Sequence, residues 1–268
     1  MRVPDVVLKS VGYVCQTTHK SATTIEGDPY ATGFFVTVPS AIVGKSLHYF
    51  VTAKHVAEDL VNHEIHFRVN AVGGGTTLVR DVYHHWILHP SDRTADVAVI
   101  PFTPHPKMDF VSIPIGMFAT QEVIRTKNIG IGDEVFMTGL FEPAQADKRI
   151  MPIVRHGNIA LIAGEQIQTE LGYADVYLVE ARSIGGISGS PVFVRETITL
   201  KGNCDDGSPI ELSGVGDFFL LGLMHGHWDI KESGMNKAMF EHDRKHGVNM
   251  GIGIVVPATK ILETINQK

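Results

Sequence analysis

The sequence predicts an all-β protein, and three observations carry that prediction. Short apolar runs of strand length recur along nearly the whole chain. Gly, Pro, Asn and Asp separate them at close intervals. Almost no long segment holds the 3.6-residue period of an amphipathic helix; the one clear case lies at the C-terminus. A chain of 268 residues, 44% of them hydrophobic, fits one large all-β unit or two small domains and buries a sizeable core.

The elements follow in order. Val11 to Gln16 reads as a first strand, and 21–29 is polar and turn-rich. Thr32 to Val38 and Leu47 to Ala53 are apolar runs joined by the short loop Pro39 to Gly44, a hairpin pattern. Lys54 to Leu60 reads as a short helix. From Glu64 to Asn70, Ile65, Phe67 and Val69 alternate with Glu64, His66 and Arg68, the period of a half-buried strand. Gly73-Gly74-Gly75 is a loop tip, and Thr76 to Arg80, Val82 to Leu88 and Asp96 to Ile100 supply further strands. The proline-rich Pro101 to Pro106 breaks regular structure and opens a linker. Beyond it, strands are expected over Glu134 to Leu140, Ile153 to Ile162, Val176 to Ala181, Val192 to Val194, Phe218 to Met224 and Gly251 to Val256. Thr259 to Gln267 closes the chain as a helix with Ile261, Leu262 and Ile265 on one face.

Composition excludes several classes of function. The formal net charge is −6 with no basic block, which argues against nucleic acid as partner, because phosphate binding needs clustered Lys and Arg. Two cysteines, Cys15 and Cys204, make no disulfide framework and read as free thiols of a reducing compartment. Lys9 and Ser10 interrupt the apolar N-terminus too early for a signal peptide, and no apolar run approaches the ~18 residues of a membrane span. A soluble, cytoplasmic protein is expected, without membrane association.

Three short motifs carry chemistry. Gly185-Gly186-Ile187-Ser188-Gly189-Ser190-Pro191 sets a serine between glycines ahead of the apolar Val192-Phe193-Val194. Taken alone it is a Gly/Ser turn before a strand; taken as a site, Ser188 is a nucleophile and the amides of Gly186 and Ser188 hold a developing oxyanion. A serine hydroxyl needs a base and an orienting carboxylate. In Phe50-Val51-Thr52-Ala53-Lys54-His55 a strand-like run leads into a histidine, and in Ala95-Asp96-Val97-Ala98-Val99-Ile100 an aspartate heads a strand. Asp92 and Asp81 compete for that role, but only Asp96 stands directly before Val-Ala-Val-Ile.

The order His55, Asp96, Ser188 and all three contexts resemble the trypsin/chymotrypsin-like serine proteases. Gly-Ile-Ser-Gly-Ser-Pro-Val-Phe is similar to glutamyl endopeptidases, and Asn249 to Pro257 resembles the last strand of HtrA-type protease domains. The resemblance runs from about Gly12 to Leu262. It implies a double six-stranded β-barrel of the chymotrypsin-like type with a short C-terminal helix. The N-terminal barrel, with His55 and Asp96, would occupy 1–110; the C-terminal barrel, with Ser188, 111–268. It further implies a serine endopeptidase acting on protein or peptide substrates through a Ser188-His55-Asp96 triad, with no cofactor. The alternative from another class is a catalytically silent protein- or peptide-binding module on a protease fold.

The sequence departs from the family in two places. Ile187 stands where trypsin-like digestive enzymes carry an aspartate that pairs with a new N-terminus. Processing of that type is therefore not expected, and what shapes the oxyanion loop is left open. The resemblance places the substrate pocket at Arg182, Ser183, Ile184, Met224, His225 and His227. With Arg182 turned inward, its fixed charge favours an acidic side chain; with Arg182 outward, Met224 and Ile184 leave an apolar pocket. The histidine pairs His63/His66, His84/His85 and His242/His246 match no complete ligand pattern, and no metal is expected. Two insertions remain. Arg195 to Asp217 has hairpin-tip composition at Cys204-Asp205-Asp206-Gly207, and the charged stretch 228–248 suits a partner surface or a lid as well as a tolerated loop.

Overall fold

A computed structural model describes residues 3–19, 25–80, 85–141, 146, 148–169, 171–181, 186–203, 208–230 and 248–267. Strands dominate, as expected. In the N-terminal half they are β1 (Val11–Gln16), β2 (Thr18–His19), β3 (Ile25–Glu26), β4 (Pro29–Pro39), β5 (Ser46–Thr52), β6 (Ile65–Asn70), β7 (Thr76–Arg80), β8 (Ile87–Leu88), β9 (Ala98–Phe102) and β10 (Ile113–Pro114). The C-terminal half holds β11 (Glu134–Gly139), β12 (Ile153–Ile162), β13 (Ile167–Thr169), β14 (Gly172–Ala174), β15 (Tyr177–Glu180), β16 (Pro191–Asn203), β17 (Pro209–Ile230) and β18 (Val248–Pro257). Helices are short: α1 (Asp5–Lys9), α2 (Lys54–Asp59), α3 (Gln121–Thr126) and α4 (Ala258–Asn266).

The first sheet runs β7-β6-β1-β4-β5-β9-β8, with β10 added to β4. Its two edge strands, β7 and β8, are successive in the chain. The second half is a closed barrel, β11-β12-β15-β18-β17-β16. When the principal strands of each half are numbered in chain order, with β7 and β8 sharing fifth place, both halves read first, second, third, sixth, fifth, fourth. The sequence shows no internal repeat, yet the two halves share one topology. The second half is thus the expected six-stranded barrel. The first half follows the same order; among the described residues β7 pairs with β6 and β8 with β9, and 81–84 between them lie outside the described residues.

Each sheet encloses aromatic side chains. Phe35 packs edge-on against Phe50 and Phe110, and Phe50 lies 4.2 Å from Phe67. In the second half Phe136 stacks on Phe193 at 5.3 Å. Phe136, Phe193, Leu220 and Val256 share one core with Phe34, Val51 and Val99, so the halves are packed against each other through continuous apolar contact. Helix α4 completes this union. Ala258 and Ile261 are fully buried in the same core, while Lys260 reaches Asp92 at 2.9 Å and Glu263 reaches His89 at 2.8 Å.

Several elements differ from their sequence signals. The alternating strand β6 is buried on both faces, because His66 is covered and meets Thr17 Oγ1 at 3.0 Å. Pro101 and Phe102 extend β9 instead of ending it; Pro101 lies opposite Tyr49, beyond the short stretch that β8 covers. The runs at Val192 and Phe218 are only the bases of long strands, which continue as one antiparallel ladder to Asn203 and Pro209; the tip 204–207 lies outside the described residues. Helix α3, absent from the sequence expectations, starts beyond Thr120, which caps it by accepting from the Val123 amide. Cys15 is a free, buried thiol that burial pushes up to about 12, so it is protonated and inert; Cys204 lies outside the described residues. Among the described residues no helix is long and apolar enough to cross a membrane.

Candidate active site

The site forms where α2, the loop before β9, the loop before β16 and the end of β17 meet. Strand β5 ends at Thr52, and Ala53 stays extended before the chain turns into α2, which places His55 in the first helical turn. Amides at a helix start have no partner within the helix. Ala53 offers no side-chain cap, and the His55 amide instead donates to Asp96 Oδ1 at 2.9 Å. The same carboxylate accepts from the ring, His55 Nδ1 to Asp96 Oδ2, at 2.8 Å. Backbone and side chain of His55 are thus fixed by one residue.

Asp96 is held in turn. Its side chain is 2% exposed, against 35% for His55. Burial by itself would raise its carboxyl, but hydrogen bonds from His225 and His55 outweigh burial and hold it well below the usual carboxylate range. The competing Asp92 has another task. It accepts from the Thr94 and Ala95 amides and from Lys260, which shapes the turn that delivers Asp96. Burial opposes its ionisation, yet Lys260 and Thr94 bring it down to about 2. Asp81 lies outside the described residues. His55 feels burial, which lowers its basicity, and the hydrogen bond and charge of Asp96, which prevail and raise it above the ordinary imidazole value.

Ser188 enters from the loop before β16. Gly186 and Gly189 on either side have φ of +87° and +79°, a region that favours glycine. At Gly189 a Cβ would fall 2.2 Å from the Thr32 carbonyl and 2.4 Å from Thr52 Oγ1, so the Ser-Gly step is demanded by close approach as well as by φ. The loop is held by Thr32 of β4, a residue the sequence reading did not single out. The Thr32 amide donates to the Ser188 carbonyl at 3.1 Å, and Thr32 Oγ1 donates to the Gly186 carbonyl at 2.8 Å and accepts from the Leu140 amide at 2.9 Å. Ile187 is buried in the second barrel core. Apolar burial of Ile187 and the hydrogen bonds of Thr32 together hold the loop whose shape the sequence leaves open. Among the described residues neither the Gly186 nor the Ser188 amide donates a hydrogen bond.

Of the residues expected at the pocket, His225 has its Nδ1 hydrogen-bonded to Asp96 Oδ2, and its ring stands edge-on to His55 with centroids 5.5 Å apart. Met224 is fully buried among the side chains of the second barrel. His227 is half-buried on β17, while Arg182, Ser183 and Ile184 lie outside the described residues, as does 231–247 of the 228–248 stretch. The Ser188 hydroxyl donates to the His225 carbonyl at 3.2 Å, and among the described residues it makes no hydrogen bond to His55. The short-range histidine pairs form no cluster among the described residues; His63 Nδ1 meets Gln16 and His66 meets Thr17. The ligand types of a metal site do gather at His55, Asp96 and His225, within 4.8 Å of one another. Their N–O spacings are those of hydrogen bonds, however, whereas ligand atoms around a zinc ion lie about 3 Å or more apart.

His55 and Asp96 come from the first half and Ser188 from the second, and both halves repeat one strand order. The fold is chymotrypsin-like. No family model and no curated protein matches the sequence. Among solved structures, the chain is similar to the MamO protease domain of Magnetospirillum magneticum in its apo form, at 15% identity and a TM-score of 0.46, over 78% of this chain and 93% of that one. It is also similar to an inactive form of Rv3671c from M. tuberculosis H37Rv carrying a serine-to-alanine substitution, at 15% identity and a TM-score of 0.45, over 98% and 89%. The chymotrypsin-like assignment itself rests on strand order and register within this chain.

Proposed function

We propose that this protein is a serine endopeptidase. The observation that carries the reading is the doubly fixed His55-Asp96 pair, with Ser188 on the adjoining loop. Asp96 is ionised and so only accepts, which puts the His55 proton on Nδ1 and leaves Nε2 as the base. In the proposed reaction Ser188 Oγ attacks the peptide carbonyl carbon as His55 Nε2 takes its proton. The carbonyl oxygen becomes an oxyanion against the Gly186 and Ser188 amides. The C–N bond then breaks, His55 returns the proton to the leaving amine, and water releases the acyl group by the same steps.

One observation favours the second reading, a silent binding module: the Ser188 hydroxyl rests on the His225 carbonyl and not on His55. In the proposed reaction the hydroxyl leaves the His225 carbonyl for His55 Nε2. A fluorophosphonate probe distinguishes the two readings. Stoichiometric labelling that disappears in Ser188→Ala supports the enzyme; a folded wild type that stays unlabelled supports the binding module.

A further inference from the structure

The far part of the β16–β17 ladder runs on beyond the barrel. Strand β11 pairs with β16 only as far as Val194, and β18 pairs with β17 only from Gly222. Among the described residues 197–203 and 209–215 therefore pair with each other alone, as a two-stranded arm. Its register is unbroken: Ile198 stands opposite Gly214, Leu200 opposite Leu212 and Gly202 opposite Ile210. Directly opposed residues of an antiparallel pair share a face, and so do alternate residues of each strand. These six positions form one face, and it carries no ionisable residue. The arm's two charged residues, Lys201 and Glu211, oppose each other at positions of the other face. On the apolar face Ile198, Leu200 and Ile210 are 40%, 63% and 38% exposed.

The pattern on that face fits itself. The isoleucines stand at diagonal corners, Ile198 on β16 at the barrel end and Ile210 on β17 at the tip end. Glycines hold the other diagonal, and the leucine pair lies between. At Gly214 no atom comes within 4 Å of where a Cβ would stand; at Gly202 the nearest is Ile210 Cγ2 at 3.5 Å. A twofold axis in the plane of the face, along the strands or across them, sets each isoleucine opposite a glycine of a second copy. The middle pair then meets the middle pair. The chain has a formal net charge of −6, so copies repel where their charges meet, and this face brings none together. We propose that the apolar face of the arm is a dimer interface, occupied by the same face of a second copy of this chain. Such a contact is isologous and closes at two copies. The five residues of each strand span about 14 Å at ~3.4 Å per residue. That is a fraction of the ~800 Å² per partner of a standard interface, so the dimer is reversible and depends on concentration. The arm lies at the end of β16 remote from Ser188, which precedes that strand, and the proposal is independent of the endopeptidase reading.

Sedimentation velocity of the full chain, from about 1 μM to about 500 μM, tests this. The wild type is expected to pass from monomer to dimer and to stop there. Leu200→Lys sets a charge in the middle of the face and is expected to weaken the dimer about tenfold or more. Thr199→Lys adds the same charge to the other face and is expected to leave the dissociation constant within about threefold. Gly214→Leu makes the face more apolar but fills an open corner, and a weakening of about tenfold is expected. All three positions are exposed, and far-ultraviolet circular dichroism checks that each variant is folded. A wild type that stays monomeric overturns the proposal and leaves the face to a different partner. Growth past the dimer, or equal loss in the two lysine variants, also overturns it. Tighter association of Gly214→Leu does so too, because unspecific apolar attraction would then suffice without the fit of isoleucine to glycine.

Discussion

At the scale of single residues, the site depends on groups whose neighbours leave them no alternative. Exchanging Ser188→Ala, His55→Ala or Asp96→Asn is expected to cost about 10⁴-fold or more in peptide turnover, with double variants little worse than single ones, because triad members act as a unit. Circular dichroism should show the fold retained. Thr32→Val keeps shape but removes the hydroxyl that joins the Gly186 carbonyl to the Leu140 amide. A buried amide and a half-buried carbonyl lose a partner, so a loss of about 1–3 kcal/mol in denaturant titration is expected, together with slower labelling of Ser188. Turnover should also follow pH in a defined direction. His55 must be neutral to accept a proton, and Asp96 raises its basicity. The rate therefore falls on acidification through a value above the ~6.5 of a free imidazole, which a kcat/KM profile reads directly.

At the scale of elements, α4 is the piece that joins distant parts of the chain. Its Lys260 meets Asp92, Asp175 and Glu263, and Asp92 organises the turn ahead of Asp96. Lys260→Met removes a charge-assisted hydrogen bond at a largely buried ion pair, and a loss of about 1–3 kcal/mol is expected on thermal or urea unfolding. The linkage has a definite sign. Asp92 and Asp96 titrate below their unfolded value of 3.8, so their contribution is complete above that pH and is lost as pH falls towards 2. In Lys260→Met the acid-induced part of the loss should shrink, since Asp92 is then less depressed. The helix itself was legible as a 3.6-period segment with Ile261 on its inner face; its ion-pair partners, far earlier in the chain, were not.

At the scale of the molecule, the two halves share one core, and stability should be shared as well. Phe193 lies in the second barrel but belongs to the cluster that holds Phe34 and Val51. Phe193→Ala is expected to cost about 3–5 kcal/mol. Unfolding by fluorescence and by far-ultraviolet circular dichroism should remain one coincident transition, because a core common to both halves leaves neither one a separate unit. Two resolved transitions would contradict the continuity of that core.

The sequence by itself determined many of the strands, the C-terminal helix and the three chemical motifs. Strand β1 stands where its apolar run stands, the β4–β5 hairpin where two runs flank a turn, and His55, Asp96 and Ser188 at the ends of apolar segments whose burial positions them. Local periodicity and turn chemistry encode such features, because neighbouring residues decide them. Tertiary structure alone decided the rest. His225 and Met224 are adjacent on β17, yet one ring meets Asp96 and the other side chain fills the barrel. In a strand successive side chains point to opposite faces, and which face meets the site depends on the register with β16 and β18. Thr32 was unremarkable in a strand-like run; it became the clamp of the Ser188 loop only when folding brought β4 against residues 154 positions away. Pairing over such separations is fixed by the packing of whole sheets, and no short window of sequence contains it.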